Sequence, residues 1–356
     1  MKIISVVGTR PNFVKIASFM KETAKHRDIQ NILVHTGQHY DEKMSESFFR
    51  ELSIPKPDIN LGIGSGSHAE QTARIMVEFE KVLIKESPDL VVVVGDVNST
   101  LACALTASKL NVKVAHIEAG LRSFDRSMPE EINRILVDQI SDYLFITERD
   151  AEKNLLNENI AQSKIFFVGN LMIDTLLMHK EKASNLKPIL SEDYAVLTLH
   201  RPSNVDSKDS LKNLLGIISE IQLKLKILWP IHPRTKQKIE SFNLNINEMK
   251  NLTIIEPLGY LEFMNAVMNS KFVLTDSGGI QEETTVLNIP CITLRENTER
   301  PITCENGTNY LTGIDREIII NTVNKILKNN KKEYQGIELW DGKAAERIVF
   351  ILKDEL

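Results

Sequence analysis

Residues 3–7, Ile3-Ile4-Ser5-Val6-Val7, form a short apolar run that stops at Gly8-Thr9-Arg10-Pro11. Similar runs follow at residues 32–35, 90–94, 112–117, 143–147 and 165–168. Val91-Val92-Val93-Val94 has no polar alternation, the mark of a central parallel strand covered on both faces. Between such runs, residues 98–110 and 131–141 carry apolar positions at helical spacing. Strand and helix alternate, so the pattern predicts βαβ units and a parallel sheet with helices on both sides. The second half repeats the arrangement at 194–199, 226–231, 252–255, 272–275 and 291–294. The spacing places a boundary at Gly169, giving an N-terminal domain over 1–169 and a C-terminal domain over 170–342. Residues 343–356 read as a last helix that packs back on the first domain, after a polar loop at 329–335. The expected fold class is α/β, with two Rossmann-like, doubly wound domains facing a cleft. In such sheets ligands bind beyond the carboxyl ends of the strands.

A chain of 356 residues with 42% hydrophobic content fills two ordinary cores. Net charge is −5 and the pI about 6.0. No basic stretch interleaves with aromatics, which argues against a nucleic-acid partner. No apolar stretch approaches the length of a membrane span. Cys103, Cys291 and Cys304 lack CxxC spacing, so neither a disulfide framework nor a zinc site is expected, and a reducing, cytoplasmic location fits. The first apolar run meets Gly8 too early for a signal peptide.

Two strand-turn-helix segments are the candidate anion sites. One is Gly8-Thr9-Arg10-Pro11-Asn12-Phe13-Val14-Lys15, the other Thr275-Asp276-Ser277-Gly278-Gly279-Ile280-Gln281-Glu282-Glu283. Arg10 stands near a helix start, against the macrodipole, and so needs an anion; Lys15 is either a second such cation or a solvated one. Gly278 and Gly279 open a helix at a cost that close backbone approach to a ligand would offset. Asp96 and Glu118 close two successive strands, where crowded carboxylates can divide acid and base roles. Asp96 could equally cap the following helix. Glu130 and Glu131 open a helix, where acids commonly answer the dipole. His200-Arg201 and His232-Pro233-Arg234 close strands of the second half, and Arg300 lies at the same edge.

Taken in order, Gly8-Thr9-Arg10-Pro11, Gly37-Gln38-His39, Gly95-Asp96, His116 through Arg122, Pro129 through Arg134, Gly169-Asn170, His200-Arg201, Thr275 through Glu283 and Arg295 through Pro301 resemble the non-hydrolysing UDP-N-acetylglucosamine 2-epimerases. The resemblance implies a glycosyltransferase-B-like fold, a UDP-sugar substrate, no cofactor or metal, and a homodimer. It implies reversible epimerisation at C2 of UDP-GlcNAc to UDP-ManNAc, by elimination of UDP to a 2-acetamidoglucal and its re-addition, in supply of cell-surface polysaccharide precursors. Asp96, Glu118, Glu130 and His200 would be the catalytic groups. Arg10, Lys15, Arg134, Arg201, Phe263, Ser277, Gly278, Gly279, Glu283 and Arg300 would bind substrate, with Phe263 on the uracil and Glu283 on the ribose. Gln38, His39 and Arg74 resemble parts of an allosteric site.

Two positions depart from the commoner pattern: Asn12 stands where a Glu follows Arg-Pro, and Ser203 where a Glu precedes Asn204. These point to an alternative substrate, a UDP-2,3-diacetamido-glucuronate or a 6-deoxy sugar. Other readings are a hydrolysing relative that releases ManNAc, a glycosyltransferase of the same fold, and a nucleotide-sugar binder without activity. The Gly-Thr-Arg-Pro start counts against the first, and several carboxylates at one cleft against the second.

Overall fold

The structure, a computed structural model, describes residues 1–38 and 49–356, without the side chain of Arg10. The chain forms two compact units, one of residues 1–178 with 338–356 and the other of residues 179–337.

The first unit is built on seven parallel strands: β1 (Lys2–Val7), β2 (Gln30–His35), β3 (Ile59–Asn60), β4 (Leu90–Val94), β5 (Lys113–Ala119), β6 (Tyr143–Ile146) and β7 (Ile165–Phe167). Their order is β3-β2-β1-β4-β5-β6-β7. All five residues of β4 are buried, as a strand covered on both faces requires. Ile4, Val6, Val91, Val93, Ile75 and Phe79 share one core between the sheet and the helix His68–Glu86. The second unit has six parallel strands: β8 (Tyr194–Thr198), β9 (Lys226–Pro230), β10 (Leu252–Ile255), β11 (Val273–Thr275), β12 (Cys291–Thr293) and β13 (Asn309–Leu311). Their order is β10-β9-β8-β11-β12-β13, around a core that includes Leu197, Trp229, Leu274 and Ile292.

Each sheet reverses direction of build at one point, between β1 and β4 and between β8 and β11. Doubly wound sheets bind ligands at such switch points. The turns leaving these four strands carry Gly8, Gly95-Asp96, His200 and Ser277. Strands β3 and β13 escaped the sequence pattern because they are short and partly polar, with Asn60 and Asn309 among their few residues.

The division falls within the helix Leu171–Ser184, further along than the boundary read at Gly169. The first turns of this helix are tied to the first unit. Thr175 Oγ1 donates to Val14 O (2.7 Å), and Asp174 accepts the N–H groups of Ala344 (3.1 Å) and Ala345 (2.8 Å). Asp174 thereby caps the last helix, Ala344–Glu355, which lies against the helix Arg10–Thr23. Burial pushes the Asp174 carboxyl up to about 6 against these two amides. Trp340 Nε1 donates to Thr147 O (3.0 Å) and pins the returning chain. Gly169 has φ +90°, and a Cβ there would lie 2.1 Å from Leu339 O.

Candidate functional site

In the first unit the candidate groups collect at the ends of β1, β4 and β5. Gly95, at φ +68°, turns the chain after β4 and presents Asp96. The helix Pro129–Ile140 brings Arg134 to it: one guanidinium nitrogen meets the Asp96 carboxylate, while Nη1 lies 2.7 Å from Glu131 Oε2. Asp96 is therefore an ion-pair partner. The cap residue of the next helix is Val97. Asn133 Nδ2 donates to Asp96 O (2.8 Å) and fixes the backbone of the same turn.

Glu118 adopts φ +70°, a left-handed conformation that costs a non-glycine residue roughly 1–3 kcal/mol and persists only where surroundings impose it. The β5–β6 register shifts between Ile117 and Ala119, so Glu118 is the odd residue of a bulge. Its Oε2 lies 2.6 Å from Lys15 Nζ, with both side chains nearly closed to solvent. Lys15 thus faces a carboxylate of its own unit.

The first loop differs from the sequence expectation. Asn12 Oδ1 accepts the N–H groups of Gly8 (3.2 Å) and Thr9 (3.1 Å), and its Nδ2 donates to Val94 O (2.9 Å). Those two amides are satisfied internally, so the loop is no backbone cradle for phosphate at these positions. Gly8 serves close packing instead: a Cβ there would lie 2.2 Å from Ser99 Oγ.

The acidic pair at 130–131 divides its work. Glu131 is buried and accepts Ser123 N–H (2.9 Å) and Phe124 N–H (2.9 Å), holding the loop before the helix. Glu130 is half-buried and forms no ion pair with another described residue. Gln38 points inward, where its Oε1 accepts from Ser99 N (3.1 Å) and Ser99 Oγ (2.6 Å). Arg74 is exposed beside a cavity of about 350 Å³ that Leu61, Ile63 and Val77 also line; Gln38 is not part of this lining. His39 lies outside the described residues.

In the second unit Asp276, fully buried at the end of β11, organises the turn after β8. It accepts the N–H groups of His200 (3.0 Å) and Arg201 (2.9 Å), and His200 Nδ1 lies 3.0 Å away. Burial pushes this carboxyl up, but the His200 ring and the two amides outweigh it and hold it below its ordinary value. His200 is thereby oriented with 40% of its side chain exposed.

The helix Gly278–Val286 starts beside this turn with Ser277 as its cap residue. A helix leaves its first N–H groups without partners inside it, here including those of Gly278 and Gly279. A Cβ on Gly278 would come within 2.8 Å of Arg300 Nη1, so glycine lets this cation lie over the helix start. Arg300 Nε pairs with buried Glu282 (3.0 Å). Arg295 grips Glu299 with two nitrogens (2.8 and 2.9 Å), and Arg201 lies 3.6 Å from the same carboxylate. Burial raises the Glu299 carboxyl, but Arg295, Arg300 and Arg201 together drive it far below the carboxylate range. Sequence reading had left Glu299 and Asp276 without such roles. The arginines around Glu299 gather only once the turn carrying Arg201 meets residues 295–300, and the amides that Asp276 accepts come from the turn after β8.

Glu283, half-buried, stands a turn into the helix. Burial, with Glu282 nearby, pushes its carboxyl up to about 7, against the Tyr260 hydroxyl that donates to Oε1 (3.0 Å). Phe263, on the helix Tyr260–Met268 that presents Tyr260, is half-buried and packs against the core that includes Val196, Ala266 and Val273. The structure thus groups Phe263, Glu283, Ser277, Gly278, Gly279, Arg300, Arg201 and His200 within the second unit. It groups Asp96, Glu118, Arg134 and Lys15 in the first. Among the described residues, no group of three or more His, Cys, Asp or Glu is arranged to hold a metal ion, and no helix is long and apolar enough to cross a membrane.

A profile of the UDP-N-acetylglucosamine 2-epimerase family matches residues 21–353. The chain belongs to that family. It is 49% identical to the UDP-N-acetylglucosamine 2-epimerase of Methanocaldococcus jannaschii, with 99% of each chain covered. It is 43% identical to the UDP-2,3-diacetamido-2,3-dideoxy-D-glucuronate 2-epimerase of Pseudomonas aeruginosa, with 98% of each covered. The M. jannaschii enzyme's crystal structure, in complex with UDP-GlcNAc and UDP, superposes with a TM-score of 0.93 at 48% identity, over 99% of this chain and 100% of that one. The protein is therefore an epimerase of two Rossmann-like units, in the glycosyltransferase-B-like class.

Proposed function

We propose that this epimerase interconverts UDP-GlcNAc and UDP-ManNAc by eliminating UDP and adding it back, as a homodimeric cytoplasmic enzyme supplying cell-surface polysaccharide precursors. The supporting observation is the pair of carboxylates Asp96 and Glu118 on adjacent strand ends, the second held in a strained backbone conformation. Strain of this kind collects at functional sites.

The C2 proton of an amino sugar has no adjacent carbonyl and is a poor acid. Cleavage of the C1–O bond sends its electron pair to UDP and leaves positive charge on the ring. A carboxylate then takes the C2 proton, and the C–H pair forms the C1–C2 double bond of the 2-acetamidoglucal. Return of UDP to C1 with a proton delivered to the opposite face of C2 inverts that centre. Asp96, Glu118 and Glu130 are the groups for these proton transfers, with Arg134 and Lys15 setting the charge of the first two. Because leaving diphosphate carries the largest developing charge, cationic and N–H donors aimed at it do the most work. The Gly278 and Gly279 amides, Ser277, Arg300, Arg201 and His200 fill that role, while Phe263 and Glu283 hold uridine. Gln38 and Arg74 are the described candidates for activation by a second substrate molecule.

The P. aeruginosa relative and Asn12 favour a second reading, in which the sugar carries a 3-acetamido and a uronate group. Product analysis with both UDP-sugars decides between them. Formation of UDP-ManNAc at a kcat/KM well above that for the diacetamido-uronate supports the first reading. The reverse ranking selects the second, and release of free ManNAc would overturn both.

A further inference from the structure

His116 is completely buried on β5 and is given no chemical role above. Its Nδ1 lies 2.6 Å from Asp138 Oδ1 and its Nε2 lies 2.8 Å from the carbonyl oxygen of Gly95. Each ring nitrogen faces an oxygen, so the ring bridges the Asp138 carboxylate and the Gly95 carbonyl. Gly95 is the turn residue before Asp96, and its own N–H donates to Ile117 O (3.0 Å). Asp138, also fully buried, uses its second oxygen to accept Gly120 N–H (3.1 Å) and to pair with Arg122 (2.7 Å). Arg122 in turn holds Glu158 with two nitrogens, each at 2.7 Å.

One carboxylate therefore grips the chain on both sides of Glu118, at His116 and at Gly120. Through the His116 ring it also reaches the peptide before Asp96. Asp138 sits on the helix Pro129–Ile140, the same helix that brings Arg134 to Asp96. A bulged, left-handed residue relaxes unless its flanks are fixed, and here both flanks are fixed to one rigid element. We propose that His116 and Asp138 are positioning residues that hold Asp96 and Glu118 in register with each other, without touching substrate. The proposal rests on the epimerase reading above and extends it to groups beneath the site. Burial alone would raise Asp138, but His116 and Arg122 keep it below its usual value, consistent with a charged anchor.

The test uses the full-length enzyme and its His116→Phe and His116→Gln variants. Deuterium exchange at C2 of UDP-GlcNAc, KM and UDP affinity are measured for each. A displacement of about 1 Å in a reacting group can cost on the order of 100-fold in rate. H116F should therefore exchange about 100-fold more slowly, with KM and UDP affinity within about threefold of the unaltered enzyme. H116Q keeps one donor toward Gly95 O and should recover about tenfold of that loss. Exchange by H116F within about threefold of the unaltered enzyme overturns the proposal, as does a loss of UDP affinity that parallels the loss of rate. If H116F fails to give the native circular-dichroism spectrum, H116Q decides by the same two criteria. The unaltered enzyme is measured first: if it exchanges no C2 proton of UDP-GlcNAc, the UDP-GlcNAc reading fails, and the variants are compared by the same criteria on the UDP-diacetamido-uronate of the second reading.

Discussion

Replacing Glu283 with Gln should stabilise the protein at alkaline pH while weakening nucleotide binding. The Glu283 carboxyl is pushed from 4.5 to about 7, chiefly by burial. At about 1.4 kcal/mol per pH unit, ionising it in the folded state costs about 3 kcal/mol. Because the folded value is the higher one, the stabilisation from holding this proton is complete below about 4.5 and is lost as pH rises through about 7. Glutamine has the same shape, keeps an acceptor for the Tyr260 hydroxyl and carries no charge to desolvate. Denaturant unfolding of both proteins at pH 5 and pH 8.5 measures the effect. The two should be nearly equally stable at pH 5, and E283Q should be about 3 kcal/mol more stable at pH 8.5, as an upper value. UDP should bind E283Q more weakly if the carboxylate accepts from the ribose hydroxyls. A stability difference that is the same at both pH values would refute the reasoning, because it would show that Glu283 is not paying a desolvation cost.

Asp96→Asn and Glu118→Gln should each lower turnover by about 10²–10⁴-fold, the usual worth of a positioned acid or base, while isothermal titration finds UDP affinity little changed. Retained turnover in both would remove these carboxylates from the chemistry. Arg300→Ala removes a cation from the helix start and leaves buried Glu282 without its 3.0 Å partner. UDP affinity should fall by about 10-fold or more, as loss of a charge-assisted bond predicts, and an unchanged Kd would exclude Arg300 from diphosphate binding. Gly169→Ala forces a Cβ to 2.1 Å from Leu339 O at φ +90°. A loss of at least about 2 kcal/mol in unfolding free energy is expected from such a clash, and a stability equal to the parent would show that the return segment relaxes freely.

The apolar runs reveal most plainly the strands buried on both faces, because continuous Val and Ile leave little other choice; the edge strands β7 and β10 are also legible, since they keep enough apolar residues. Val91 through Val94 is the plainest case. Strands β3 and β13 are edge strands of only two and three residues, with Asn60 and Asn309 among them, too short and polar for a pattern to mark them. The turns carrying Asp96, His200 and Ser277, and Glu118 at the end of β5, were legible because each closes a recognisable strand. What each side chain grips was not. Lys15 and Glu118 are far apart in sequence and meet only when β1 and β5 lie either side of β4. Asn12 takes up the Gly8 and Thr9 amides, a use that the loop's glycine and threonine do not advertise. Of two adjacent glutamates, Glu131 turns inward because the loop amides of Ser123 and Phe124 need an acceptor, and only the folded loop shows which. Glu299 likewise gains its role only when Arg201, from the turn after β8, joins Arg295 of its own segment on the carboxylate.

Proton NMR of the protein with UDP-GlcNAc in D₂O tests the central claim most directly. Elimination and re-addition predict UDP-ManNAc with deuterium at C2, and deuterium entering the recovered UDP-GlcNAc as well. UDP-ManNAc that retains protium at C2, or UDP-GlcNAc that remains unchanged, would contradict the account.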